Sequence, residues 1–477
     1  MTDLTKEQFR RFGYEIVDWI AGYLDNPRVH PVLPDMQPGD LVARLPKSAP
    51  ETGEPMEQIL ADFRSHIIPA MTHWNHPRFM AYFSVSASAP GILAEALTAT
   101  LNTNGMLWKS NPASTELELV TLDWVRQWLG LPEGAFGIIH DTASLSTMHA
   151  IAAAREAADP DARTRGGSQH LTLYTSEHAH SSVEKGAIAI GVGQNNVRKV
   201  PVDAQFRLRP DALAEMIRAD RDAGKLPFCV VPTVGTTSTT AIDPVPAVAD
   251  IAHREGLWMH VDAAYGGAAA VVPELRHLLD GCDRADSLVM NPHKWFFTPI
   301  DLSTLFTRRP DIMRRAFSLV PAYLRTGEDG RVVNYMDYGV ALGRRFRALK
   351  LWFVLRYFGR EGIAAVIREQ CRWACELAGV IAAHPRFEVT APTPLSLVCF
   401  RYRGTNDENR LLLDELNRSG EVFVSGNEIA GVFMIRLAIG NMRTTREDVF
   451  TVWKVVQDTA ARLFNSGSPA ASPKKSE

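Results

Sequence analysis

Between about residue 90 and residue 310 the chain alternates short apolar runs with longer stretches of helical periodicity. That alternation leaves few folds open. The runs at 171–175, 228–233, 257–262, 287–291 and 303–307 have strand length, and the stretches at 144–158 and 210–223 read as helices. Short strands separated by helices predict an α/β domain with a largely parallel sheet. Such sheets bind ligands outside the carboxyl ends of their strands. The residues just after each run are therefore the ones to read for chemistry.

The flanks read differently. Thr5 to Gln8 forms a capping box, and Phe9, Phe12, Ile16, Ile20 and Tyr23 follow at helical spacing. This opening helix leads into a proline-punctuated arm from Pro27 to Pro55, whose apolar surface lies either on a partner subunit or on its own chain. After Gly343 come two helical patterns, through Tyr357 and from Glu361 to Ala383. Strand-like runs at 396–402 and 432–438 and a last helix over 446–463 complete a small α+β unit. The expected division is 1–88 (N-terminal helical arm), 89–351 (large α/β domain), 352–464 (small α+β domain) and 465–477 (a disordered, polar tail).

Composition excludes several classes. A net charge of −3, with acids and bases mixed, points to neither nucleic acid nor a membrane surface. No run reaches the ~18 apolar residues of a membrane span, and the opening residues lack the apolar core of a secretory signal. The 5 cysteines lack zinc-type pairing, so no metal site is expected and a reducing, cytoplasmic location is.

The chemistry-bearing residues fall where the sheet argument puts them. The run 257–262 ends on Asp262, followed by Ala263 and Ala264. A buried carboxylate stays charged only when paired. A protonated pyridine nitrogen is one such partner, and the small Ala264 lets a flat ring lie close. Standing alone, Asp262 fits helix capping equally well. The next apolar run, however, leads into Asn291-Pro292-His293-Lys294-Trp295. A lysine among proline, histidine and aromatics is poorly placed for solvent, and burial makes its amine nucleophilic toward an aldehyde. Asp141-Thr142-Ala143-Ser144 opens a helix, offering hydroxyls and free amides to a phosphate. It fits a plain helix cap as well. Gly235 to Thr240, with Asp243 beyond, and His178-Ala179-His180-Ser181-Ser182 follow two further runs. Their co-location on one sheet edge favours a cofactor site over isolated structural histidines.

Taken in order, Thr72-His73-Trp74, Ala81-Tyr82-Phe83, Thr142-Ala143-Ser144, Ala179-His180-Ser181-Ser182, His260-Val261-Asp262-Ala263-Ala264, Asn291-Pro292-His293-Lys294-Trp295 and Leu342-Gly343-Arg344-Arg345-Phe346 resemble the aromatic L-amino acid decarboxylases, the group II pyridoxal-phosphate (PLP) decarboxylases of fold type I. The resemblance runs from the opening helix to about Phe464. It implies a fold type I large domain with a mainly parallel sheet, a homodimer with active sites near the interface, and carboxy-lyase activity in aromatic amino acid metabolism. By the resemblance, Lys294 carries PLP as a Schiff base. Asp262 pairs with the ring nitrogen, supported by Asp243. His180 and Ala264 contact the two ring faces. Thr142, Ala143, Ser144, Asn291 and His293 lie on the phosphate side, with Thr237 near the cofactor. Trp74, Tyr82, Phe83, Ser84, Asn104, Met106 and Gly343 line the substrate pocket. Tyr323, on a lid-like loop, returns a proton to the α-carbon. Aldehyde synthases of the same scaffold carry phenylalanine there, so Tyr323 favours amine formation.

Some segments depart from the family. Ser84-Val85-Ser86 stands where animal members have proline and threonine, Asn104 and Met106 replace more apolar or aromatic residues, and Phe296 to Ile300 differs. These leave the substrate side chain open among tryptophan, phenylalanine, tyrosine and dopa. Gly343 tilts toward tryptophan, by its association with roomier pockets in plant relatives. The competing readings are an aldehyde synthase, a decarboxylase of a non-aromatic amino acid and a PLP-binding protein without turnover. A dinucleotide-binding protein is weaker, since Gly191-Val192-Gly193 lacks the third glycine of that motif. Arg436 and Arg443 receive no role.

Overall fold

The computed structural model describes residues 3–319, 327–328 and 330–464. By spatial contact the chain divides into two units. One comprises residues 83–375 and 391–398; the other, 1–82, 376–390 and 399–477. These cuts fall at 82/83 and 375/376 instead of after residues 88 and 351. One reason is local: Phe79 bridges Phe423 in β-fashion and buries with Val32 and Ala81, which draws the arm to the C-terminal segment.

The larger unit is built on a seven-stranded sheet. Its strands are β1 (Phe136–His140), β2 (Leu171–Ser176), β3 (Val197–Val200), β4 (Leu226–Val231), β5 (Trp258–Asp262), β6 (Ser287–Met290) and β7 (Ser303–Thr307). They lie in the order β1-β7-β6-β5-β4-β2-β3. β7 runs antiparallel to both neighbours, and the other pairs are parallel. β1, β2 and β4 to β6 therefore end on one edge, as do the loops that follow them. β2, β5, β6 and β7 are buried along their whole length, which is why their sequences read as apolar runs without alternation. The edge strands β1 and β3 were not legible as strands: β3 holds Arg198 and Lys199 between its two valines, and the buried part of β1 is only Gly137, Ile138 and Ile139. Ile138, Leu173, Phe228, Val231, Trp258 and Leu305 share one core with helix Ala143–Ala158, whose inward face is Ala150, Ile151, Ala153 and Ala154.

In the other unit, Thr5 caps helix Lys6–Asp25 through both halves of the box, Thr5 and Gln8 each accepting the other's backbone N–H. A four-stranded antiparallel sheet is formed by β8 (Phe387–Val389), β9 (Leu397–Tyr402), β10 (Ser425–Ile429) and β11 (Val432–Ala438); the unit boundary passes within β9. Its core is aromatic, with Phe387, Phe400 and Trp453 ring to ring. The two helical patterns after Gly343 are helix Ala348–Ala382, broken at Gly359, where φ is 61°. The expected tail 465–477 lies outside the described residues. Among the described residues, no helix is long and apolar enough to cross a membrane.

Two loops at the carboxyl edge meet through glycine. A Cβ on Gly266, just past β5, would fall 2.5 Å from the Val234 carbonyl oxygen, and Gly235 on the facing loop has φ +87°. Backbone cannot yield as a side-chain tip does. Gly266→Ala is expected to cost about 1–3 kcal/mol, the range for overpacking, read as a lower denaturation midpoint. Cofactor retention should fall with it, because the loops forced apart carry Asp262 and Thr237.

Candidate active site

The site begins with the pairing of β4, β5 and β6. Past the end of β4, Thr233 continues the parallel pairing opposite Asp262. The Val234 N–H donates to the Asp262 carbonyl at 2.9 Å, and the Asp262 N–H donates to the Pro232 carbonyl at 3.0 Å. Beyond β5, the Asn291 N–H donates to the Ala264 carbonyl at 3.1 Å. Asn291 then opens the single turn Pro292–Trp295, which presents Lys294. The aspartate and the lysine are thus held by backbone bonds between adjacent strands, with no flexible loop between them.

Lys294 faces a cavity of about 180 Å³. Thr142, Ala143 and Ser144 line it from the start of helix Ala143–Ala158, and His180 and Ser182 from the loop after β2. Thr233, Gly235 and Thr237 come from the loop after β4, Asp262 from the end of β5, Ala264 and Tyr265 from just past it, and Asn291 from just past β6. Five strand ends converge, as the parallel topology requires. The opening helix amides have no intrahelical acceptor. His180 Nδ1 lies 2.9 Å from the Ser182 hydroxyl and accepts the Ser182 N–H at 3.1 Å, which sets the ring's orientation.

Electrostatics follow from burial. Desolvation lowers the Lys294 pKa below the usual lysine value, while the Asp262 charge opposes that shift. A lysine so placed holds more of its neutral, nucleophilic form. Burial likewise lowers His180, with Asp262 raising it and Lys294 lowering it. Asp262 is 5% exposed and accepts the Ala264 N–H at 3.0 Å.

The floor is aromatic. Phe83, Tyr265 and Trp295 stack, with ring centroids 3.8 Å and then 4.5 Å apart and planes within 12°. The Tyr265 hydroxyl lies 2.5 Å from that of Ser396, and Trp295 donates to Gln370 at 2.6 Å. Lys294 Nζ sits 5.4 Å from the Phe83 ring centre. From sequence alone Tyr265 has no role, and the family resemblance makes Phe83 a substrate contact only. The signal was there, in an aromatic three residues past Asp262, but stacking across sequence-distant segments cannot be read from spacing.

Of the expected cofactor residues, Asp243 and His293 stand behind the lining. The Asp243 carboxylate accepts the N–H groups of Leu208 and Thr233, each at 2.8 Å, and burial raises its pKa to about 6. It thereby clamps the strand beside Asp262. His293, its pKa lowered to about 3 chiefly by burial, accepts the Leu302 N–H at 2.9 Å and secures the turn bearing Lys294. The expected substrate residues are dispersed. Ser84 is buried outside the lining. Asn104 Oδ1 accepts the N–H groups of Met106 and Arg344, and a Cβ on Gly343 would lie 3.8 Å from Asn104 Nδ2. Those three residues form one surface cluster away from the cavity lining. Trp74 and Tyr82 belong to the other unit, where their rings stack at 6.0 Å. Tyr323 lies outside the described residues.

The lining fits a flat cationic ring bearing an aldehyde and a phosphate. It offers an amine for the aldehyde, a carboxylate for the ring charge and a helix start for the phosphate. Two buried lining oxygens, Asn291 Oδ1 and Thr233 Oγ1, have no protein partner among the described residues, which calls for a polar guest.

Comparison with known proteins agrees. Residues 38–403 match the pyridoxal-dependent decarboxylase conserved domain. Phenylacetaldehyde synthase of Arabidopsis thaliana is 39% identical, covering 97% of this chain and 98% of its own. Aromatic-L-amino-acid decarboxylase of Rattus norvegicus is 37% identical, covering 97% and 99%. The crystal structure of Oryza sativa TDC with PLP and tryptamine superposes with a TM-score of 0.94 at 35% identity, covering 98% of this chain and 100% of that one.

Asp243 offers a direct check on the clamp. Asp243→Asn leaves one buried N–H without an acceptor, a loss of about 1–3 kcal/mol. The variant is expected to release cofactor at dilutions where the parent retains it, as read by absorbance after gel filtration. Equal retention would remove Asp243 from the site's support.

Proposed function

Since the chain belongs to the pyridoxal-dependent decarboxylase family, we propose that it removes the carboxyl group of aromatic L-amino acids as carbon dioxide, leaving the arylalkylamine. The observation carrying this reading is the convergence of Lys294, Asp262, His180 and the Thr142–Ser144 helix start on one cavity. The cofactor is pyridoxal 5'-phosphate, which when bound supplies an electron sink for the pair left by the departing carboxyl.

The residues divide the remaining work. Lys294 would hold the cofactor through its amine. Asp262 keeps the proton on the ring nitrogen, and Asp243 keeps Asp262's strand in place. With the cofactor bound, His180 and Ala264 would contact its ring. Thr142, Ala143 and Ser144 would hold the phosphate by amides and hydroxyls, with Asn291 and Thr237 as further cofactor contacts. His293 acts through the turn that it fastens. Tyr323 delivers a proton to the α-carbon. Phe83 bounds the pocket for the substrate ring.

We place Asn104, Met106 and Gly343 in the pocket of a second copy, so that the working form is a homodimer. Their absence from this chain's own lining supports that. So does an exposed stripe on helix Ala89–Leu101, where Leu93, Leu97 and Leu101 are 59%, 47% and 56% exposed at i, i+4, i+8 spacing. Leu97→Asp should shift sedimentation from two chains to one and remove activity together. The five free thiols, four of them buried, suit the cytoplasmic location that we assign.

The aldehyde-synthase reading keeps one support, the Arabidopsis relative named above. Tyr323 weighs against it. The deciding assay incubates purified protein and cofactor with tryptophan, phenylalanine, tyrosine and dopa separately, measuring carbon dioxide, amine, aldehyde and peroxide. Amine in equal yield with carbon dioxide is expected, with tryptophan favoured by Gly343. Lys294→Ala should reduce carbon dioxide release to background and abolish the absorbance of lysine-bound cofactor. Tyr323→Phe should exchange amine for aldehyde; an unchanged product ratio removes Tyr323 from the mechanism.

A further inference from the structure

A second cavity, of about 410 Å³, opens at the opposite edge of the seven-stranded sheet, where β5 begins. Its floor is formed by small apolar side chains. Ala154, Ala157 and Ala158 end helix Ala143–Ala158, and Ala249 and Ala252 face them from helix Val245–Glu255. Phe228 and Trp258 form the back wall, both buried. The alanines leave open space, a slot, where larger side chains would have filled it.

The rim is cationic. Arg284 is matched by Asp250 at 2.7 Å. Arg309 lies over the Trp258 ring at 5.5 Å, and its nearest carboxylate, Asp286, is 3.9 Å away. The Arg308 guanidinium has no hydrogen bond or ion pair among the described residues, although its backbone N–H donates to the Asp286 carbonyl at 3.0 Å. Asp286 is itself engaged, accepting the Met259 N–H at 2.9 Å. Two exposed guanidinium forks thus stand at the mouth of the slot and share one carboxylate, Asp286, whose charge acts on both. The size and lining match small-molecule sites, and planar forks match carboxylates.

We propose that this cavity is a separate binding site for an aromatic carboxylate, with the ring in the alanine slot against Phe228 and Trp258 and the carboxylate at Arg308 and Arg309. None of these residues lines the catalytic cavity. β5 joins the two, running from Trp258 to Asp262, as does helix Ala143–Ala158 from Ser144 to Ala158.

The test is isothermal titration of the full-length, cofactor-loaded protein with indole-3-acetate. The parent protein should bind saturably. Arg308→Gln/Arg309→Gln should weaken that binding at least about tenfold, or ~1.4 kcal/mol, while kcat/KM on the preferred amino acid stays within about twofold. Both arginines are exposed, so retained turnover also reports an intact fold. Absence of saturable binding by the parent, or equal affinity in the double variant, overturns the proposal; the latter places the acid elsewhere, including the catalytic cavity.

Discussion

Parallel pairing of β4, β5 and β6 is the constraint on which the site depends. Parallel strands end on one edge, so the loops after them must meet there, and the groups they carry need no long connections to find each other. The backbone bonds Val234 to Asp262 and Asn291 to Ala264 then fix the carboxylate relative to the amine. The position of Lys294 owes more to these bonds than to its own short turn. Asp243 secures the same frame from outside, holding Leu208 and Thr233 by their N–H groups.

Placing charge in so buried a region is costly, and the sequence meets that cost locally. Asp262 keeps a backbone donor, His180 keeps the Ser182 hydroxyl, and burial moves Lys294 toward its neutral form. The imidazole of His260 is likewise kept neutral, its pKa lowered to about 4 chiefly by burial, with the Ser287 hydroxyl 2.9 Å from Nδ1. Below the lysine the stack of Phe83, Tyr265 and Trp295 supplies a rigid apolar floor. Rigid, pre-set polar groups over such a floor favour catalysis because they need no reorganisation during the reaction.

The same sheet has a second end. Helix Ala143–Ala158 offers Thr142, Ala143 and Ser144 at its start and an alanine face at its finish. β5 likewise begins at one cavity and ends at the other. One helix and one strand therefore serve two openings of different chemistry, one lined by titrating groups and one by small apolar residues under arginines.

Local pattern carried a large share of this. The buried strands β2, β4, β5, β6 and β7 were legible because two-sided burial leaves continuous apolar runs. The capping box at Thr5 and the helices at 143–158 and 210–222 were legible from spacing. Lys294, Asp262, His180 and the Thr142 turn stood out because each follows a strand. The edge strands β1, β3 and β10 were not legible: β3 and β10 mix polar residues into a short, partly exposed run, and the buried part of β1 is only Gly137, Ile138 and Ile139. The floor formed by Phe83, Tyr265 and Trp295, the clamp of Asp243 and the separation of Asn104, Met106 and Gly343 from the cavity lining were decided by tertiary structure. The reason is physical: periodicity records which face of an element is buried, whereas stacking, backbone clamping and cavity shape depend on which sequence-distant faces meet.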